Sequence, residues 1–122
     1  MNLFPGGENM GKDDYFVLAA KILVYLYSKL KGKATKDISY LSPKTKDFPI
    51  EQDYFEYVLL QLEKQGYIEN LYAQKYWGGQ IVKVTDELQI TPAGIEYLQE
   101  NSMMKKVFST VAELASFAGN FL

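Results

Sequence analysis

At 122 residues the chain has the length of one domain and enough residues to bury a core, and its 48% hydrophobic and 23% charged content excludes a disordered tail or a membrane bundle. It contains no Cys, His or Arg, which rules out a disulfide framework and takes away the usual thiolate, imidazole and zinc-ligand chemistry. All thirteen positive charges are Lys and the net charge is −2, which excludes a chain-wide nucleic-acid footprint and the Arg fork that reads guanine, but leaves room for a local basic patch.

The opening residues, "MNLFPGGENMG", lack the basic flank and long apolar run of a signal peptide, and their Pro and Gly content reads as a disordered leader over residues 1–11. "DDYFVLAAKILVYLYSKL", Asp13 to Leu30, begins with two acids and ends among lysines, the charge order that complements a helix dipole. Its apolar residues run nearly all round, interrupted by Lys21, so it reads as a central core helix or one shared with a partner. In Lys31 to Gln52, Thr35 or Asp37 caps a short helix over Ile38, Tyr40 and Leu41, which Ser42-Pro43 breaks.

A third helix follows from Glu51 to Gln65. Phe55, Val58, Leu59 and Leu62 make its buried stripe, and Gly66 stands where a left-handed glycine ends a helix. The segment from Tyr67 to Thr91 reads as a hairpin turning at Gly78-Gly79, which sets Tyr76 opposite Ile81, Gln74 opposite Lys83 and Tyr72 opposite Thr85. One face of this hairpin is expected to pack and the other to stay wet. Thr91 and Pro92 then open another helix, ending near Asn101, and Ser102 to Ala118 forms a last one.

Helix, short helix, helix, two-stranded hairpin, helix, helix is the order of an α+β, mostly helical fold: a winged helix-turn-helix with a two-stranded wing and a C-terminal helical extension. The expected division is a leader over 1–11, a winged-helix domain over 12–101, and a C-terminal helix over 102–122 that packs on the domain or on a second subunit.

"DDYFVLAAKILVYLYSKLKGK", "ISYLSPKT", "LEKQGYIENL" and "ITPAGIEYLQENSMMKK" together resemble the YjcQ proteins, small chains of Gram-positive bacteria and their prophages. The likeness runs from about Lys12 to Lys106. It implies a winged-helix-like fold and a cytoplasmic, often phage-linked setting, and it brings no catalytic residues with it.

Two surfaces are candidates for function. Six lysines between Lys29 and Lys46 face a single acid, Asp37, so Lys31, Lys33, Lys36, Lys44 and Lys46 form a candidate phosphate-contacting patch, joined by Lys75 and Lys83 of the wing. A lysine-rich loop kept for solubility fits the same residues. On the outer face of the third helix, Tyr57, Gln61 and Lys64 are candidate DNA contacts, though Asp53 and Glu56 beside them repel phosphate.

The second candidate is a protein interface. Tyr57 and Leu60 point away from the core stripe, and Met104, Phe108, Val111 and Ala115 recur at steps of four and three, as along a coiled-coil seam. Packing of that last helix on its own chain is the competing account. Catalysis is not expected: Asp13-Asp14 serves as a cap, Asp86-Glu87 as a turn, and Gly78-Gly79 lacks the surroundings of a phosphate loop.

The sequence therefore points to a cytoplasmic, non-enzymatic, DNA-associated regulator or phage-linked accessory protein. The alternative is an interaction or dimerisation module that keeps the winged fold without binding DNA. Double-stranded DNA, a second copy of the chain or another protein are the partners considered; no cofactor, metal, membrane or small-molecule substrate is expected.

Overall fold

Asp14 starts the first helix by accepting a hydrogen bond from the Phe16 amide at 3.0 Å, which satisfies one of the amides that a helix N-terminus leaves open. In this computed structural model, which describes residues 14–110 with side chains to residue 107, the helix α1 runs Tyr15–Leu30. Every residue from Val17 to Leu26 is buried. A helix apolar all round must be enclosed all round, and α1 is: α2 (Gln52–Lys64), α3 (Pro92–Glu100), α4 (Ser102–Thr110) and the short strand β4 (Gln89–Ile90) all pack on it.

The interruption at Lys21 is resolved inside the core. Its side chain is 1% exposed, and Nζ donates to the carbonyl oxygen of Asp47 at 2.9 Å. Tyr25, equally buried, donates its hydroxyl to the carbonyl of Lys36 at 2.9 Å, and burial pushes its phenol above the ordinary range. Two polar tips on one helix thus satisfy carbonyls of the irregular segment between α1 and α2, and so tie that segment down. Phe48 plugs it into the core, edge-on to Tyr40 and Phe55 with ring centroids 5.4 Å from each.

The expected short helix between α1 and α2 is a single 3₁₀ turn, Ile38–Tyr40. Of the two caps considered, Asp37 is the one used: its carboxylate accepts from both the amide and the hydroxyl of Ser39, which hold it below the usual carboxylate range. The turn at Leu41 and Ser42 leaves no room for a second helical turn before Pro43.

Phe55, Val58, Leu59 and Leu62 are the buried residues of α2. Gly66, at φ 83°, ends it: the amides of Gly66 and Tyr67 return to the carbonyls of Glu63 and Leu62, the paired closing bonds of a glycine-terminated helix. The chain then enters β1 (Ile68–Glu69), which pairs antiparallel with β4, Ile68 opposite Ile90.

Thr91 couples this point to the start of α3. Its amide donates to the carbonyl of Tyr67 at 3.0 Å, its hydroxyl donates to the carbonyl of Gly66 at 2.6 Å, and the same oxygen accepts from the Gly94 amide at 3.0 Å. Gly94 is required because a Cβ there would lie 2.2 Å from the Tyr67 carbonyl oxygen. Tyr67 and Tyr97 stack across the same joint, centroids 4.1 Å apart, and the Tyr97 hydroxyl is pushed up to about 12 by burial first and by Tyr15 and Tyr67 second.

The remaining strands, β2 (Tyr72–Tyr76) and β3 (Gly79–Lys83), form a separate antiparallel ribbon. Asn70, at φ 68°, bends the chain between β1 and β2, so what reads as one hairpin is two short ladders. The fold is α+β, with helices over about half of the described residues and two small two-stranded sheets. Among the described residues, no helix is long and apolar enough to cross a membrane.

Candidate functional site

The ribbon register differs from the expected one. Tyr76 pairs with Gly79, Gln74 with Ile81 and Tyr72 with Lys83, so the two turn residues are Trp77 and Gly78 rather than Gly78 and Gly79. Gly78 supplies the positive φ, 95°, and Gly79 supplies space: a Cβ on Gly79 would meet the Tyr76 hydroxyl at 2.9 Å. With adjacent glycines either turn is open to the backbone, and the chosen one lays the Tyr76 ring across its glycine partner. Because the shift is two positions, the faces are preserved. Tyr72, Gln74, Tyr76, Ile81 and Lys83 share one face, while Ala73, Lys75, Gln80 and Val82 share the other.

Neither face packs as a whole. Val82 and, just past the strand, Val84 are half-buried against the core, but every residue of β2 is exposed. Trp77 is 98% exposed, and Tyr72, Tyr76 and Ile81 are each more than two-fifths exposed. From Asn70 to Thr85 the chain carries Lys75 and Lys83 and no acid at all. The two lysines project from opposite faces, with Lys83 Nζ 5.9 Å from the Tyr72 ring centroid.

The lysines of the 29–46 segment differ in their surroundings. Lys29 is drawn to the body, donating to the Asp86 carbonyl at 2.8 Å with the Asp86 carboxylate 3.7 Å away. Lys44 pairs with Glu51 at 3.5 Å. Lys31 lies over Tyr27 and Lys36 over Tyr40, at 5.0 and 5.4 Å. Lys36 and Lys46 do meet in one open cleft, but Asp37 and Asp47 line it with them. Lys33 is exposed.

On α2, Tyr57 is 52% exposed and Lys64 exposed, while Gln61 is half-buried. Leu60 corrects an expectation: it is half-buried and packs against the core, because the apolar contact of α2 is wider than the four-residue stripe. A groove runs between the 3₁₀ turn, the first half of α2 and the ribbon base, lined by Ile38, Leu41, Phe55, Leu59, Val82 and Val84. Its one charged residue is Glu56, which Gln52 holds at 2.5 Å, so the groove offers phosphate no cation.

Met104, read as a seam residue, is fully buried in the chain's own core with Val107, because α4 folds back on α1 and α3. Val111 and Ala115 lie outside the described residues, as do the leader 1–11 and the side chain of Phe108. Among the described residues, no three His, Cys, Asp or Glu side chains gather in a way that would hold a metal ion.

Sequence reasoning passed over Tyr72, Tyr76, Trp77 and Ile81 as surface residues, since alternation suggested that one ribbon face was packed. The signal that points to them is the acid-free run Asn70 to Thr85 in a chain of net charge −2, with its single Trp at the turn. No curated protein and no solved structure shows significant similarity to this chain. A family model described as YjcQ protein matches residues 20–116, which include α1 from its second turn, the joint at Thr91 and the whole ribbon, and the chain belongs to the YjcQ family.

Proposed function

We propose that this YjcQ protein is a non-enzymatic, DNA-associated winged-helix regulator or phage-linked accessory factor that meets its nucleic acid with the ribbon. The order α1, 3₁₀ turn, α2, ribbon, α3 supports the winged-helix reading, with α2 in the place of the reading helix and β2–β3 as the wing. One observation carries the proposal: the exposed ribbon combines two lysines, four large apolar side chains and no carboxylate, while the outer face of α2 carries Asp53 and Glu56. Phosphate is repelled at the helix and accepted at the wing. The absence of Cys, His and Arg supports a binding role over a catalytic one.

The test is titration of mixed-sequence duplex DNA with the full chain at low and moderate salt, beside Lys75→Glu/Lys83→Glu and Lys33→Glu/Lys36→Glu variants. Binding is expected to weaken with salt and to weaken most in the ribbon variant, with the salt slope shallower by about one for each lysine contact removed. Loss confined to the Lys33→Glu/Lys36→Glu variant moves the contact to the 29–46 lysines. No binding of duplex or single-stranded DNA at low salt ends the DNA reading in favour of a protein-interaction module, which Tyr57, more than half exposed on the acidic face of α2, supports.

A further inference from the structure

Trp77 is left almost wholly in water at the outermost turn of the ribbon, although a ring of its size ordinarily finds cover. It is not alone: Tyr72 and Tyr76 occupy one ribbon face behind it, 45% and 55% exposed. Tyr72 reaches its hydroxyl to the Gln74 Oε1, 2.6 Å away and two residues on. Tyr76 lies across Gly79, its hydroxyl, Cζ and Cε1 all within 3.6 Å of where a Cβ would stand. Each ring is thus held at its hydroxyl end by the ribbon and leaves about half of the residue open to solvent.

From this we infer that the ribbon is a stacking platform for unpaired bases, so that the preferred ligand is single-stranded DNA or a duplex with an open end. The inference rests on the nucleic-acid reading above and names the form of nucleic acid. Bases within a duplex are already stacked on one another, and a flat exposed ring gains a partner only where a base is free. Charge selects the occupant: the segment Asn70 to Thr85 has Lys75 and Lys83 and no acid, which complements a phosphate backbone. Stacking also needs no base-edge recognition, the task for which a chain without Arg is poorly equipped.

Trp77 is the chain's only Trp, so its emission reports the tip directly. The experiment titrates the full chain with a short oligothymidylate and, separately, with a blunt duplex of mixed sequence, following both Trp77 emission and the anisotropy of labelled DNA. Quenching by the single strand, with affinity at least about tenfold above that for the duplex, is the expected result. Trp77→Ala and Tyr76→Ala should each weaken single-strand binding about tenfold, with Trp77→Phe close to the native chain because a ring is kept.

Duplex bound as tightly as single strand, with Trp77 emission unchanged, overturns the inference and leaves the DNA reading standing. Single-strand binding that Trp77→Ala and Tyr76→Ala do not weaken also overturns it. Failure of both nucleic acids to bind at low salt removes the inference and the DNA reading together. Self-association lost on Trp77→Ala, read by sedimentation without DNA, would assign the rings to a second copy of the chain and overturn it likewise.

Discussion

Phe48 and Trp77 are both large rings carried outside helices and strands, yet one is 0% exposed and the other 98%. Phe48 sits in a segment tied to α1 at the carbonyls of Lys36 and Asp47 by Tyr25 and Lys21, its own amide donates to the Thr45 hydroxyl, and its ring fills the core. Trp77 sits in a turn that extends a two-stranded ribbon away from any such helix, with Val82 and Val84 as its footing on the body. The contrast teaches that a chain with ten Tyr and seven Phe need not spend them all on stability. In the body aromatic rings meet each other, whereas on the ribbon they face solvent.

The largest effect expected from breaking this contrast is at Phe48. Phe48→Ala should lower the unfolding free energy by about 4 kcal/mol, measured by urea denaturation, since it empties a fully enclosed site. Next comes Gly94→Ala, where the new methyl would meet the Tyr67 carbonyl and Ile90; a loss of about 3 kcal/mol is expected, and a neutral result would mean that α3 sits further from β1 than described. Thr91→Ala removes the α3 cap and the bond to Gly66 together, for about 1 to 2 kcal/mol.

A pH effect sharpens the body side of the comparison. Tyr97 is raised to about 12 in the folded chain and titrates near 10 unfolded, so between these values the native state holds a proton that the unfolded state has lost. Stability therefore falls as pH rises through that window, and Tyr97→Phe should flatten the fall in alkaline denaturation curves. The smallest effect is expected at Trp77, where Ala should change stability by no more than about 0.5 kcal/mol. A loss there comparable to that at Phe48 would make the ring part of the fold and dissolve the contrast.

Much of the body was legible because its signals are local. Asp14, Thr91 and Gly66 mark helix ends through bonds to residues two to four positions away, Pro92 does so by its fixed φ at the first helical position, and the spacing of Phe55, Val58, Leu59 and Leu62 shows the inward face of α2 directly. Lys21 was legible only as a break in an apolar run, because its partner Asp47 lies 26 residues on and no local pattern announces it. The ribbon turn was misplaced by one residue because Gly78-Gly79 permits either choice, and the packing of Tyr76 on Gly79 decides it. The acidic partners of two clustered lysines were not legible either: Lys29 meets Asp86, 57 residues on, and Lys44 meets Glu51.

The joint at Thr91 also has a consequence for how the molecule opens. The amide of Tyr67 is held by Leu62, that of Thr91 by Tyr67, and that of Gly94 by the Thr91 hydroxyl, whose own proton is given to Gly66. The two long-range bonds of Thr91 join the local closing bonds of α2 to the local cap of α3. Hydrogen exchange at Tyr67, Thr91 and Gly94 should therefore proceed at matching rates, as a single cooperative unit assembled from two stretches of chain about twenty-five residues apart.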